Sequence, residues 1–444
     1  MKRIVLTLSF CALCAFVASS QSINAPAQIA PSTLTLLDAE KIAIKEHPQI
    51  AQANYLALAA QEAVVETRSG YFPTVNAFAD AVGVNREGSR ILAGNINNPS
   101  VYDRAAGGLQ LNQLITDFGH TANLVASSRY QARAENQNAS ATREQVLLGV
   151  DISYYDAAEA QDVLKVAQQT LDTRQMLATQ VSALATNKLR SALDVSFVQV
   201  EVQQAELLVE RASNDADAAM ASLSTALGYG DFHPFLLTDQ APAIKEMIAT
   251  NFVTSDVDGL VQTALSRRPE LLSLRDNREA AQRYAKSQRD SRLPTVDAIG
   301  AAGDAPWRND GDLRSDYAAG GVQLSLPLFA GGMYVARQHE AEYKAQADEE
   351  MLRDLQNNVI RDVRIAWLDL NDAIEQLHTT EELADNAAEA FTLAQARYQS
   401  GLSSIVELSD AQLNLTSAQI TETNARYNVL IQQANLNYQT GLIE

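Results

Sequence analysis

Two stretches of the chain alternate apolar and polar positions and then change period. In the first, Val322, Leu324, Leu326 and Leu328 fall on one face and Gln323 and Ser325 on the other, the period-two pattern of a strand. Pro327 limits ladder bonding there, and Gly331 and Gly332 permit a sharp change of direction. From 333 to 400 neither proline nor glycine interrupts a run rich in Ala, Glu, Gln and Leu up to its end, which predicts one very long helix. The same joint occurs at 110–119, QLNQLITDFG, closing on Gly119, and a proline-free, nearly glycine-free run over 120–188 follows it.

The remaining pattern falls into order around these joints. From 34 to 69 the periodicity is helical, with Ile50, Ala53, Ala57, Ala60 and Val64 at alternating spacings of three and four and a break at Pro48. Strands are predicted near 74–84 and 101–114, joined by a polar loop over 85–99. A helix over 194–227 is stopped by Gly228 and Gly230, and the proline-bearing stretch 231–255 reads as a linker. A helix over 256–291, containing Pro269, leads to strands near 295–302 and 317–328 around a loop at 303–316. Beyond the second long helix come a break at 401–404, a helix over 405–436 and a short tail.

This order is a repeat. Ala43, Ile44, His47 and Pro48 correspond to Ala264, Leu265, Arg268 and Pro269, and Pro73 to Pro294, all at one offset. Gly107, Gly108, Gln110, Leu111 and Gly119 correspond to Gly320, Gly321, Gln323, Leu324 and Gly332 at a second offset. The predicted organisation is a first structural repeat over 21–230, a linker over 231–255 and a second repeat over 256–444.

Lengths then constrain shape. A helix rises about 1.5 Å per residue, so each long helix spans about 100 Å, and its shorter partners match it end to end in series. Each set is therefore antiparallel, burying a narrow seam rather than a globular core. All four strands fall at one end of the rod. Four strands expose two edges and cannot close alone. Three copies would supply twelve, an even number suited to a membrane barrel; the pattern alone does not exclude a two- or four-chain assembly.

Composition narrows the class of function. Residues 1–20 combine Lys2 and Arg3, an apolar run and Ala18-x-Ser20, the arrangement of a secretory signal peptide cut before Gln21. The only two cysteines, Cys11 and Cys14, lie within it. The formal charge is −20, and no basic patch is dense enough for nucleic acid. No later run is long and apolar enough for a membrane-spanning helix, whereas strand-based spans leave a weaker signal. The five histidines lack metal-ligand spacing, and no nucleophile elbow, Walker loop or dinucleotide fingerprint is present. No enzyme activity and no cofactor are expected.

Taken together, the signal segment, the duplicated layout, the run from Leu326 to Gly332 after a strand, and Tyr398-x-x-Gly401 ahead of the 405–412 segment IVELSDAQ resemble the TolC family of outer-membrane efflux and secretion channels. The resemblance covers nearly all of 34–442. It implies a mixed α/β fold: a trimeric twelve-strand outer-membrane barrel, four strands per chain, continued by a periplasmic helical coiled-coil barrel. It also implies a passive exit duct, for small molecules or polypeptide, in a tripartite efflux pump or type I secretion system. The implied partners are two further copies, a periplasmic adaptor, an inner-membrane pump and outer-membrane lipid. By the same resemblance Glu407 and Asp410 line the periplasmic mouth, where a solvated acidic helix face is the plainer alternative. Tyr398 matches a tyrosine that helps latch the closed mouth, with seam packing as its alternative. The first repeat departs from the family pattern: Lys188 stands where the second has Gly401, and Asp194 keeps the acid of Glu407 while Phe197 replaces that of Asp410. Ser403 occupies a position usually basic, so Lys188 and Arg190 are candidates to supply that charge. Gly119, Pro327, Gly331 and Gly332 mark the strand–helix joints. The rival function is a periplasmic coiled-coil adaptor or scaffold without a barrel, against which the four end-clustered strands weigh.

Overall fold

The computed structural model describes residues 32–83, 89–90, 100–101, 104–238, 256–307 and 315–443. The signal segment with Cys11 and Cys14, most of the loop 85–99, positions 308–314 and the linker part 239–255 lie outside the described residues.

The first half runs β1 (Ser32–Leu34), α1 (Leu36–Glu46), α2 (Pro48–Ser69), β2 (Thr74–Val82), the two-residue strands β3 (Ser89–Arg90) and β4 (Ser100–Val101), β5 (Arg104–Thr116), α3 (His120–Thr186), α4 (Ala192–Ala226) and β6 (Phe235–Leu237). The second half runs α5 (Val257–Arg267), α6 (Pro269–Asp290), β7 (Thr295–Trp307), β8 (Asp316–Ser325), α7 (Met333–Gln399) and α8 (Ile405–Thr440). Both long helices have 67 residues, close to the length the pattern predicts.

The main sheet is antiparallel throughout, in the order β2-β5-β7-β8. Four details differ from the sequence expectation. The strand expected to run through Leu328 stops at Ser325, because Pro327 has no N–H for a ladder and disfavours regular pairing ahead of it. The helix expected over 256–291 is two helices: Arg268 adopts ψ 123° and Pro269 opens α6, as the clash of a proline ring with the preceding residue requires. His47 does the same before Pro48, also at ψ 123°. Finally, 235–237 of the expected linker pairs in parallel with 32–34, a contact between segments too short and too distant to carry a periodic signal. The loop expected over 303–316 is also shorter, since β7 continues to Trp307 and β8 begins at Asp316.

Backbone conformation follows the sequence correspondence closely. The described residues with positive φ are Phe118, Gly119, Lys188, Gly228, Gly331, Gly332, Gly401 and Gly441, and they fall into four pairs 213 positions apart. At the strand–helix joints two consecutive left-handed residues, Phe118-Gly119 and Gly331-Gly332, turn the chain into α3 and α7. Asp117 secures the first joint, accepting from the Gly119 N–H at 3.2 Å and the Thr121 N–H at 2.7 Å. At the far end of the long helices the closures match bond for bond: Leu189 N–H reaches Leu184 O and Lys188 N–H reaches Ala185 O, as Leu402 reaches Arg397 O and Gly401 reaches Tyr398 O. This is the Schellman closure, whose left-handed residue is ordinarily glycine.

Burial is concentrated mid-rod, where Val150, Tyr154, Leu223, Leu227, Leu370, Leu377 and Val429 form the largest cluster. Tyr154 is fully buried and donates to Leu34 O at 3.0 Å, fastening β1 to the seam. Smaller clusters lie at the tip around Val181, Tyr398 and Leu408 and beside α5 around Leu271 and Val363, and between the mid-rod and tip clusters the α7–α8 seam thins to Ala384, Ala387 and Ala418.

Lys188 holds φ 60° where its counterpart Gly401 holds 72°. A side chain in this conformation costs about 1 kcal/mol relative to glycine. Lys188→Gly should therefore stabilise the α3–α4 turn by about 1 kcal/mol and Gly401→Ala should destabilise the α7–α8 turn, as read by denaturant unfolding followed by helix circular dichroism. Equal stability of Lys188→Gly and the parent would contradict the strained turn.

Candidate functional site

The sheet has two unlike faces. Register places Val75, Leu111, Leu109, Ala302, Val322 and Leu324 on one of them. Thr74, Asn76, Gln110, Asn112, Asp297 and Gln323 lie on the other, with Phe78, Ile299 and Tyr317 among them. On the apolar face Val322 and Leu324 are 69% and 68% exposed, and the apolar stretch continues past the strand through Leu326, Leu328 and Phe329, which are exposed as well. Strands of 9 to 13 residues meet the length a tilted strand needs to cross a bilayer. An apolar face backed by a polar one is the side-chain arrangement of a barrel wall with lipid outside and water within.

The wall continues into helices as a single layer. Near the sheet α2 packs on α3, α3 on α6 and α6 on α7; further down, α4 packs on α3, α3 on α8 and α8 on α7. Both flanks of this layer carry exposed apolar side chains. Tyr55, Leu58 and Val65 on α2 and Val200 and Leu207 on α4 lie on one flank; Tyr343, Met351 and Leu368 on α7 lie on the other. Among the described residues, the outer edges of β2 and β8 are likewise unpaired.

At the tip, the structure brings together some of the residues singled out from sequence. The Arg190 guanidinium sits 4.5 Å from the centre of the Tyr398 ring. Tyr398 is buried, which pushes its hydroxyl above the ordinary range, and among the described residues neither its Oη nor the buried Ser403 Oγ has a hydrogen-bond partner. Glu407 Oε1 lies 3.1 Å from Arg397 Nε, a residue the sequence reading passed over. Asp194 forms a reciprocal capping box with Ser191, its N–H donating to Ser191 Oγ and its carboxylate accepting from the Ser191 N–H, both at 3.1 Å. Ser404 caps α8 in the same position through the Glu407 N–H. Asp410, one turn beyond Glu407, is exposed and shares its helix face. Lys188 and Gly401 act through the backbone, as the left-handed residues of the two turns.

A family model described as outer membrane efflux protein matches residues 41–229 and 260–442, both halves of the chain with the linker left out. The chain belongs to the outer membrane efflux protein family. Among its relatives, outer membrane protein TolC of Escherichia coli is 24% identical over 401 residues, covering 87% of this chain and 78% of that protein. The alkaline protease secretion protein AprF of Pseudomonas aeruginosa is 23% identical, covering 79% and 72% respectively. A crystal structure of a membrane protein from Pseudomonas aeruginosa superimposes with a TM-score of 0.77 at 21% identity, over 91% of this chain and 92% of that one. The outer-membrane protein VceC of Vibrio cholerae gives 0.73 at 18% identity, over 91% and 96%. As an efflux-family chain, the protein is an outer-membrane channel component reaching into the periplasm, a conduit rather than an enzyme.

The seam also holds ionisable groups midway along α3. Glu144, Asp151 and Glu159 lie seven and eight positions apart, along one stripe of the helix. Each is pushed up to about 7. Burial is the main cause for all three, aided by Glu270 beside Glu144, Glu40 beside Asp151 and Asp156 beside Glu159. A buried cation, Arg174, lies nearer the tip, paired with Glu201 Oε2 at 2.6 Å.

In the unfolded chain these three carboxyls give up their protons near pH 4, and in the folded chain near pH 7. Between those values the folded state binds more protons, so its stability falls as pH rises from about 4 to about 7. Thermal unfolding should occur at a higher temperature at about pH 5 than at about pH 8, and Asp151→Asn should shrink that difference. An unchanged difference in Asp151→Asn would remove Asp151 from the account.

Proposed function

We propose that three copies of the chain close into one twelve-strand barrel continued by a helical tunnel, and that this assembly is the passive exit duct of a tripartite machine. The observation that carries the reading is the match between the two open flanks. Each copy offers β8 and α7 on one side and β2, α2 and α4 on the other, every one of them ending in unpaired backbone or exposed apolar side chains. Unlike edges meet head to tail, and such contacts close into a ring when the rotation between copies divides a full turn, as closure by three copies requires. A periplasmic scaffold without a barrel leaves the apolar sheet face uncovered. The four left-handed pairs at one spacing support the origin of the fold in two repeats.

A periplasmic adaptor and an inner-membrane pump complete the machine and supply its energy. AprF is named for alkaline protease secretion and the relative OpmQ for pyoverdine export; the corresponding cargo classes for this chain are a polypeptide and a small molecule. At the tip, the Arg190–Tyr398 stack holds the α3–α4 turn against the end of α7 and the Arg397–Glu407 pair braces the α7–α8 turn, together forming the closed mouth. Stacking of a guanidinium on an aromatic ring contributes about 0.5–2 kcal/mol, within reach of a docking partner's binding energy. Glu407 and Asp410, repeated three times around the axis, make an anionic ring that favours cations.

Replacing both carboxylates, as Glu407→Gln with Asp410→Asn, leaves polar side chains in place and frees Arg397. Purified trimers of this variant in planar bilayers should lose most of the parent's preference for cations over anions. An unchanged permeability ratio, with the trimer intact, would move the selective ring elsewhere.

A further inference from the structure

We infer that Tyr317 is a positioning residue of the exit bore: its ring lies along the channel wall on a bed of two glycines and fastens the edge strand β8 without narrowing the passage. The inference rests on the reading above, in which the polar face of the sheet lines the bore.

The geometry begins with one row across all four strands. Register aligns Phe78 on β2 with Gly108 on β5, Gly108 with Gly303 on β7, and Gly303 with Tyr317 on β8. The two inner strands approach so closely here that side chains have no room. A Cβ on Gly108 would stand 2.5 Å from Ala302 O, and one on Gly303 2.3 Å from Gly107 O. The space above the glycines belongs to the tyrosine. A Cβ on Gly303 would meet Tyr317 Oη at 2.5 Å and Cζ at 2.7 Å, and a Cβ on Gly108 would meet the same Oη at 2.8 Å. The phenol of β8 therefore crosses β7 and ends over the margin of β5. A ring that reaches sideways over a neighbouring strand lies along the sheet and cannot also stand out from it.

Two consequences follow. An aromatic side chain covering glycine backbone restores the packing that glycine forgoes and pins register. It does so on β8, the strand whose other edge must meet the next copy. And because Tyr317 stands one position from the outer start of β8, three such rings sit near the outward end of the bore, where upright side chains of this size would form a constriction.

The test uses a reporter on the same strand and face, Gln323→Cys, six positions further towards the rod. Beyond Cys11 and Cys14 the chain has no other thiol. Whole cells are treated from outside with a small and with a bulky impermeant maleimide, and the trimer-to-monomer transition temperature in detergent is measured alongside. Tyr317→Ala should change the bulky-reagent rate by less than about twofold, because a ring in the wall leaves the pore radius unaltered, while lowering the transition temperature. Tyr317→Phe should leave both as in the parent. Acceleration of the bulky reagent by about tenfold in Tyr317→Ala would mean that the ring stands in the bore, and an unchanged transition temperature would mean that it fastens nothing. Either result overturns the inference. Failure of even the small reagent to reach Gln323→Cys in the parent would instead overturn the inward assignment of the polar face.

Discussion

Unpaired backbone at the outer edges of β2 and β8 is the constraint on which the rest of this structure depends. In water, a row of free N–H and C=O groups is an aggregation hazard. In the hydrocarbon of a bilayer each such group costs several kcal/mol, and only a closed sheet avoids the penalty. Four strands cannot close, and the chain has no other strand placed to cover those edges among the described residues. In the proposed assembly closure by further copies removes the cost, and the helices carry the same requirement down the rod, since the flanks that continue the two sheet edges also hold Tyr55, Val65, Tyr343 and Met351 in the open.

A wall one helix thick cannot own a conventional core. The seam compensates in two ways. Small residues such as Ala384, Ala387 and Ala418 let backbones approach, and one dense cluster around Tyr154, Leu223 and Leu377 gathers the helices where short partners meet in series. The same thinness explains why acidic side chains occur within the seam. Asp151 is 7% exposed, with Oδ1 unpartnered among the described residues, and burial answers the cost by keeping the proton rather than by supplying a cation. Arg174 takes the other course and is paired with Glu201.

Much of this architecture was legible in the sequence because it is periodic. The change from period two to an uninterrupted helical run announced both strand–helix joints, and glycines at 119, 331, 332 and 401 marked left-handed turns that the backbone adopts. What escaped the pattern is what depends on partners rather than period. Pro327 was expected near the end of a strand and stands outside it, because it ends the pairing two residues ahead of itself. The β1–β6 contact joins segments about 200 positions apart. At the tip, Glu407 was legible as an acid of the mouth but its partner was not: Arg397 reaches it across the turn, a pairing that depends on the chain reversing between them. Asp194, singled out as a tip contact, also closes a capping box with Ser191, a pairing that the Ser-x-x-Asp spacing carries.

The most direct measurement is a disulfide scan between the two sheet edges. Within one chain β2 and β8 are separated by three strand spacings, about 14 Å, while a disulfide tolerates Cα separations only up to about 7 Å. Chains carrying Gln323→Cys on β8 together with a cysteine at Thr74, Asn76 or Phe78 on β2 can therefore cross-link only to neighbours. Oxidation in outer membranes followed by denaturing electrophoresis should convert the best-registered pair into a covalent trimer, with a dimer as the intermediate and nothing larger. A ladder beyond three chains, a product that stops at two, or no cross-link at any of the three registers would contradict closure of this sheet by three copies.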